Sequence, residues 1–256
     1  MVRKQNKRNS SGTKEIANTE QDQNIKHFDN ASSVGETQPS TTQPEQNTNP
    51  SRIIDIGLDA STTTVGICVL DNLTGDLIEL TYLDLSSKVK YEDLYDKIKA
   101  TREHLKNLII SGNYTLGNVF IEEAAKMFSA GFSSADTLFT LAKFNHSICQ
   151  FFYDVFDFKP IKINVRTARK QTGVNIDYKD KTKTTKQKVF DMVKNINPSF
   201  PWFTYLAKAG KNKGLIVYGK QNEDLADAWV IAKGGHLAYT KSNNSNINTL
   251  TKSSKK

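Results

Sequence analysis

Three apolar runs rich in β-branched residues, at 53–58, 64–70 and 77–84, open the patterned part of the chain, the last two separated by the turn-forming Asp71-Asn-Leu-Thr-Gly-Asp. Short runs of this kind, bounded by turn residues, read as strands, and this loop reads as a hairpin. Over 91–110 the residues Leu94, Ile98, Leu105, Leu108 and Ile109 recur at helical spacing, and 118–121 is a short buried strand that ends in Glu122. A strongly apolar helix is predicted over 135–156, then a strand over 160–165, a basic loop, a helix near 184–195 and a last helix over about 222–238. The order βββαβαβα predicts one α/β domain spanning 51–240, with a mixed five-stranded sheet and helices on both faces.

Both ends look different. Residues 1–50 are Gln, Asn, Ser and Thr with one aromatic, Phe28, and cannot bury enough apolar area to offset their ordering entropy. They are expected to form a disordered polar tail, and 241–256 a disordered basic one. Pro198 to Tyr218, with Trp202, Phe203, Tyr205 and a Gly/Lys-rich stretch, reads as an insertion. No apolar run approaches the roughly 18 residues of a membrane span, and no apolar stretch follows the charged N-terminus. The expected setting is a reducing one, cytoplasmic or nucleoid-associated, and not secreted. Cys68 and Cys149 each sit in an apolar segment, which argues against a disulfide framework or a zinc site.

The net charge of +8 is local: residues 159–188 hold ten basic and two acidic side chains. A basic segment beside an otherwise acidic chain suits a phosphate backbone, whose condensed counterions each Lys or Arg contact releases.

The acids carry the chemistry. Ile56-Gly-Leu-Asp59-Ala-Ser-Thr-Thr-Thr64 sets a carboxylate at the end of an apolar strand, among small neighbours that leave room for a metal or a phosphate. Val119-Phe-Ile-Glu122-Glu123 ends a buried strand in an acid, which is costly to bury without a partner. Strand alternation aims Glu122 and Glu123 apart, and Glu122, which continues the buried run, is favoured. In Asn222-Glu-Asp224-Leu-Ala-Asp227-Ala-Trp the two aspartates lie three apart, on one face of a helix, in its first turn, where the dipole favours anions. Asp224 reads alternatively as a helix N-cap. Asp227 leads into a surface of small residues suited to close packing on a sheet. If the first and fourth strands are neighbours, these acids converge into an oxygen site for a hard divalent cation, Mg²⁺ or Mn²⁺. Two such ions suit in-line phosphodiester hydrolysis, which needs no histidine base. His27, His104, His146 and His236 are accordingly read as structural or surface residues.

These residues resemble the RuvC branch of the RNase H-like superfamily, in the order and spacing of four acids: Asp59, Glu122, Asp224 and Asp227. The resemblance covers about residues 52–240. It extends to Arg169-Lys170-Gln-Thr-Gly173 and Lys186-Gln-Lys-Val189, which are similar to that family's basic loop and following helix. It implies that Lys170 and Lys186 meet the scissile phosphates, with Arg166, Arg169 and Lys183 in the same DNA-binding segment. It also implies two Mg²⁺ ions, with Mn²⁺ as a substitute, a four-way branched DNA junction as substrate, and a homodimer that makes paired nicks. In relatives the segment matching 135–156 builds the dimer interface, while Leu138, Leu141, Ala142, Ile148, Cys149 and Phe152 read equally as core. Phe128 and Phe132 read either as aromatics that stack on junction bases or as anchors of their own loop. The sequence departs from the bacterial pattern in Ala60-Ser-Thr after Asp59, in both tails and in the 198–218 insertion.

Other readings remain open. Gly57-Leu-Asp59-Ala-Ser-Thr-Thr-Thr also resembles the first phosphate loop of actin-like and sugar-kinase-like phosphotransferases, although about 190 patterned residues are few for two such domains. An inactive scaffolding member of the same fold is another. A third keeps the nuclease and changes its substrate to a flap or an RNA–DNA hybrid.

Overall fold

The computed structural model describes residues 51–123 and 134–253, with side chains to Lys241. The polar tail expected over 1–50 lies outside the described residues. β1 (Arg52–Ala60), β2 (Thr64–Asp71) and β3 (Leu77–Asp84) form an antiparallel meander, followed by α1 (Leu94–Ser111) and β4 (Tyr114–Glu122). Then come α2 (Ala135–Phe156), β5 (Ile161–Ile163), α3 (Val165–Thr172), α4 (Thr185–Ile196), the short pair β6 (Thr204–Leu206) and β7 (Ile216–Tyr218), and α5 (Gln221–Ser253). The main sheet is ordered β3-β2-β1-β4-β5, with β1 antiparallel to β2 and parallel to β4, and β4 parallel to β5. This is the mixed five-stranded sheet with helices on both faces that the sequence predicts.

Strand alternation divides the core. Ile54, Ile56, Leu58, Val65, Ile67, Val119 and Ile121 face a layer made by α1 and α2. Cys68, Leu70, Leu80 and Phe120 face the opposite layer of α3, α4 and α5. None of the described helices is long and apolar enough to cross a membrane.

The approach of α5 to the sheet is unusually close, and glycine permits it. A Cβ built on Gly57 would lie 2.4 Å from the Cβ and the backbone nitrogen of Ala232, and one on Gly66 2.5 Å from the carbonyl oxygen of Asp224. Gly57→Ala is therefore expected to force α5 off the sheet at a cost of about 1–3 kcal/mol, as core overpacking does. In a domain of this size that lowers the melting temperature by roughly 2–4 °C per kcal/mol. Adding Ala232→Gly should recover only part, because Ala232's backbone is as near as its methyl. A thermal melt of the single and double variants measures both effects.

Three elements differ from the sequence reading. The basic loop after β5 contains the helix α3, capped by the Asn164 side chain on the Arg166 N–H and closed by Gly173 at φ 74°. The 198–218 insertion folds into the β6–β7 hairpin. α5 runs to Ser253, well past residue 238 and into the segment expected to be a disordered basic tail. Nucleation is the costly step in a helix, and packing of 225–236 supplies it, so further turns add at little cost even in a polar sequence.

Candidate active site

Asp59 is the penultimate residue of β1 and pairs in register with Gly66 on β2. The turn behind it is self-contained: the Ser61 hydroxyl accepts from the Thr64 N–H at 3.0 Å and donates to the Thr64 carbonyl at 2.8 Å. On the face of the sheet that bears Asp59, α5 runs antiparallel to β1: Ala228 and Asp224 lie over Gly66, Ala232 over Gly57, and His236 reaches Asp55. Four helical residues advance roughly 6 Å and two strand residues roughly 6.6 Å, so the two elements stay in step. This register carries the first two turns of α5 to the end of β1 where Asp59 sits.

Glu122 ends β4, which lies beside β1. Asp59, Glu122, Asp224 and Asp227 are thereby brought within electrostatic reach of one another. Burial lifts the Asp59 carboxyl well above the usual carboxylate range, and the charge of Asp227 adds to it, with smaller contributions from Glu122 and Asp224; Lys186 opposes them. Glu122 is raised by burial and then by Asp227, against Arg169 and Lys186. Asp227, 6% exposed, is raised by burial, against Lys186 and Arg169. The charge of Asp227 reaches Glu122, while the backbone N–H of its neighbour Glu123 bonds the Ile163 carbonyl. Asp224 lies inside α5, whose first residue is Gln221, and so is no N-cap.

Two cations answer these four acids. Lys186 Nζ is 2.6 Å from Asp224 Oδ1 and 3.6 Å from Asp227 Oδ2, and Arg169 Nη2 is 3.3 Å from Asp227 Oδ1. Burial pulls the Lys186 ammonium down, but the hydrogen bond to Asp224 and the charges of Asp59, Asp227 and Asp224 outweigh it and hold it above its ordinary value. Among the described residues no three acid, histidine or cysteine side chains stand arranged as a metal cage. Lys186 bridges the two α5 aspartates instead. The donor set nonetheless fits a hard divalent cation: all four groups are carboxylates, and burial together with the charge of Asp227 raises Asp59 and Glu122, which a bound cation would relieve.

Of the two lysines that the family resemblance assigns to the phosphates, Lys186 is at the acids. Lys170 is exposed and lines, with Arg166 and Tyr178, a groove of about 540 Å³ on α3. The inward-facing basic residue of α3 is Arg169, whose buried Nε has no hydrogen-bond partner among the described residues. Lys183 pairs with Asp191 at 2.6 Å. Lys188 joins the Asp177 and Asp180 carbonyls and the Asp180 carboxylate, so part of the basic run stabilises its own loop. Phe128 and Phe132 lie outside the described residues.

A second buried acid escaped the sequence reading. Asp55, fully buried in the middle of β1, accepts through Oδ1 from Asn72 Nδ2 at 2.6 Å and Asn118 Nδ2 at 2.9 Å. Its Oδ2 is 2.7 Å from His236 Nδ1; since a carboxylate only accepts, that ring nitrogen donates. The signal in the sequence was an acid inside an apolar alternation, Ile54-Asp55-Ile56, on the same strand face as Asp59.

No family model matches the chain, and no curated protein does. Among solved structures it is similar to Thermus thermophilus RuvC in complex with a Holliday junction substrate. That match has 13% identity, covers 73% of this chain and 96% of the other, and has a TM-score of 0.48. It is similar also to Thermus thermophilus RuvC, at 13% identity over 74% and 96% with a TM-score of 0.46. The yeast mitochondrial Holliday junction resolvase Ydc2 is similar at 12% identity over 77% and 85%, with a TM-score of 0.46. These are likenesses of fold.

Proposed function

We propose that the chain is a metal-dependent, structure-selective endonuclease that hydrolyses phosphodiester bonds of branched DNA, and that its substrate is the four-way junction, cut by paired nicks. The observation that carries this reading is the meeting of Asp59, Glu122, Asp224 and Asp227, from two strand ends and one helix start, with two cations among them. These four carboxylates would hold Mg²⁺ or Mn²⁺. A bound pair of such ions supplies an activated water and stabilisation of the leaving oxygen in an in-line displacement. The protein's own part is placement. Asp59 and Glu122 offer oxygens from the rigid sheet, and Asp224 and Asp227 from a helix locked in register on it. Lys186, which bridges Asp224 and Asp227, would be free to reach a phosphate oxygen with those two carboxylates engaged by a cation. The Nε of Arg169, without a partner among the described residues, offers a second donor to the same anion. Arg166 and Lys170 extend the basic surface along α3.

A homodimer fits α2. Its C-terminal half is core, with Ile148, Phe151 and Phe152 buried, whereas toward its N-terminus Phe139 is 62% exposed and Leu138 and Leu141 are half-buried. That face would set two sites on one symmetric junction.

Purified protein with Mg²⁺ on a four-way junction, a linear duplex, a flap and an RNA–DNA hybrid tests the reading. Symmetric nicks confined to the junction are expected, lost on chelation. Preferential cutting of the hybrid or the flap would keep the nuclease and replace its substrate. ATP hydrolysis with no cleavage of any of the four would end the proposal.

A further inference from the structure

We infer that the β6–β7 arm is a second DNA-contacting element, which grips the phosphate backbone of the substrate on the flank of the scissile bond. The inference rests on the nuclease reading above. The arm projects from the fold with a large apolar surface uncovered: Leu206 is 59% exposed, Ile216 75%, Leu215 58% and Tyr205 57%. A ribbon of two three-residue strands has no core of its own, and exposed apolar surface on this scale marks a contact. Its charge identifies the occupant. From Pro198 to Asn222 there are four lysines and no acid, and Lys208, Lys211 and Lys213 cluster in the turn between the strands. Lysines that merely guard sheet edges sit in the strands. Here the strands carry none. An apolar ribbon with a cationic tip suits sugar and base surface against its faces and phosphates at its end.

The arm is also built to hold a fixed position relative to the acids. The Asn222 side chain, fully buried, accepts from the Phe203 N–H at 3.0 Å and donates to the Phe203 carbonyl at 2.7 Å. Asn222 stands two residues ahead of Asp224 on α5. Phe203 packs edge-on against Tyr82 with ring centroids 5.4 Å apart, Tyr218 against Phe190 at 5.2 Å, and Lys194 Nζ lies 4.5 Å from the Tyr218 ring centre. The turn is closed by the Gly214 N–H on the Ala207 carbonyl at 2.8 Å and the Ala207 N–H on the Leu215 carbonyl at 2.9 Å. Its Gly210 and Gly214 sit at φ 73° and 81°. A groove of about 690 Å³ runs beside the arm, between Tyr205 and Tyr218 on one side and Lys183 and Gln187 on the other; its acids are Asp191, paired with Lys183, and Glu223. The five steps from Phe203 to Lys208 span at most roughly 16 Å in extended conformation, so the lysine tip reaches phosphates on the flank of the cut and not the scissile one.

The test compares wild-type protein with the triple variant Lys208→Ala, Lys211→Ala, Lys213→Ala, binding a four-way junction across a salt series in Ca²⁺. Each phosphate contact contributes about 0.9 to the slope of log affinity against log salt, so the slope should become shallower by two to three, and affinity at 0.1 M salt should fall at least about 10-fold. Phosphate ethylation interference on the flank of the nick should weaken with it. Single-turnover cleavage at saturating protein should stay within about three-fold, because the lysines are remote from the acids. An unchanged slope in the triple variant, beside steeply salt-dependent wild-type binding, would overturn the inference and leave the nuclease intact. A wild-type protein that bound no DNA would remove the nuclease reading itself. The variant Leu206→Ser, Ile216→Ser separates the alternative occupant. If it lowers the molecular mass in solution while DNA binding is untouched, the arm covers a second copy of the chain and the inference fails. Equal melting temperatures guard both variants against misfolding.

Discussion

Asp227→Asn is expected to lower Mg²⁺-dependent cleavage by about 10³-fold or more, to leave junction affinity within a few-fold, and to raise the melting temperature of the metal-free protein. The three outcomes have one cause. Asp227 is 6% exposed, and after burial its charge is the main cause that raises both Asp59 and Glu122. A carboxyl whose value is raised by folding costs stability progressively between its ordinary and its raised value, where the folded chain holds a proton that the unfolded one has released, and in full above the raised value. Stability contributed in this way falls as pH rises from the ordinary carboxylate value through the raised one. Asparagine is nearly isosteric, keeps an oxygen for Arg169 and Lys186, and removes the repulsion, so the fold gains. The chemistry loses a hard anionic oxygen whose electrostatic role cannot be replaced by a neutral amide; loss of a single such stabilising group elsewhere costs about 10²–10³-fold. Strain at a site that function requires is the usual origin of such a trade.

The same variant separates a metal site from a merely acidic surface. A ligand that binds only the folded state stabilises it by about 2.7 kcal/mol at 100 times its dissociation constant. Addition of Mg²⁺ should therefore raise the melting temperature of the wild-type chain and have little effect on Asp227→Asn. A wild-type melting curve indifferent to Mg²⁺, or a variant that cuts at the normal rate, would remove Asp227 from the site.

The positions of the acids were readable because each closes a patterned element: Asp59 after Ile56-Gly-Leu, Glu122 after Val119-Phe-Ile, and Asp224 and Asp227 ahead of an Ala-rich helix. The sheet was readable for a similar reason, since two-sided burial makes strands into continuous apolar runs. What remained hidden depends on direction rather than pattern. A run of ten basic residues does not reveal which side chains turn inward, and only Arg169 and Lys186 do so onto the acids. α3 buries only Ala168, so it leaves no apolar period, although Asn164 and Gly173 mark its two ends. β6 and β7 are too short to show alternation over the four or more residues that it needs. Asp55 was visible as an acid in an apolar strand, yet its partners Asn72, Asn118 and His236 come from three different elements, which no local spacing can announce.

That network sets the second large expectation. His236→Ala should destabilise the fold by about 3 kcal/mol, because truncation leaves a buried carboxyl oxygen without its donor and opens a cavity beside it. Asp55 would then keep its two amide donors at Oδ1 and lose the one at Oδ2. A loss of this size is a large share of the 5–15 kcal/mol that holds most domains together. His236 also fixes how far along β1 the helix α5 sits, together with Lys233, whose ammonium reaches the Gly75 carbonyl at 2.6 Å. It stands nine residues beyond Asp227, roughly 13 Å along the helix axis, too far to share in the chemistry. Urea unfolding should therefore show a lower midpoint with an unchanged slope, while cleavage by the folded variant, assayed well below its melting temperature, stays within about ten-fold of normal. The double variant Asp55→Ala, His236→Ala should lose clearly less than the sum of the two single losses, since the second substitution removes a group that the first has already stranded. Additive losses would mean that the two residues act independently, and that the register of α5 over the sheet is held by the glycine and alanine packing alone.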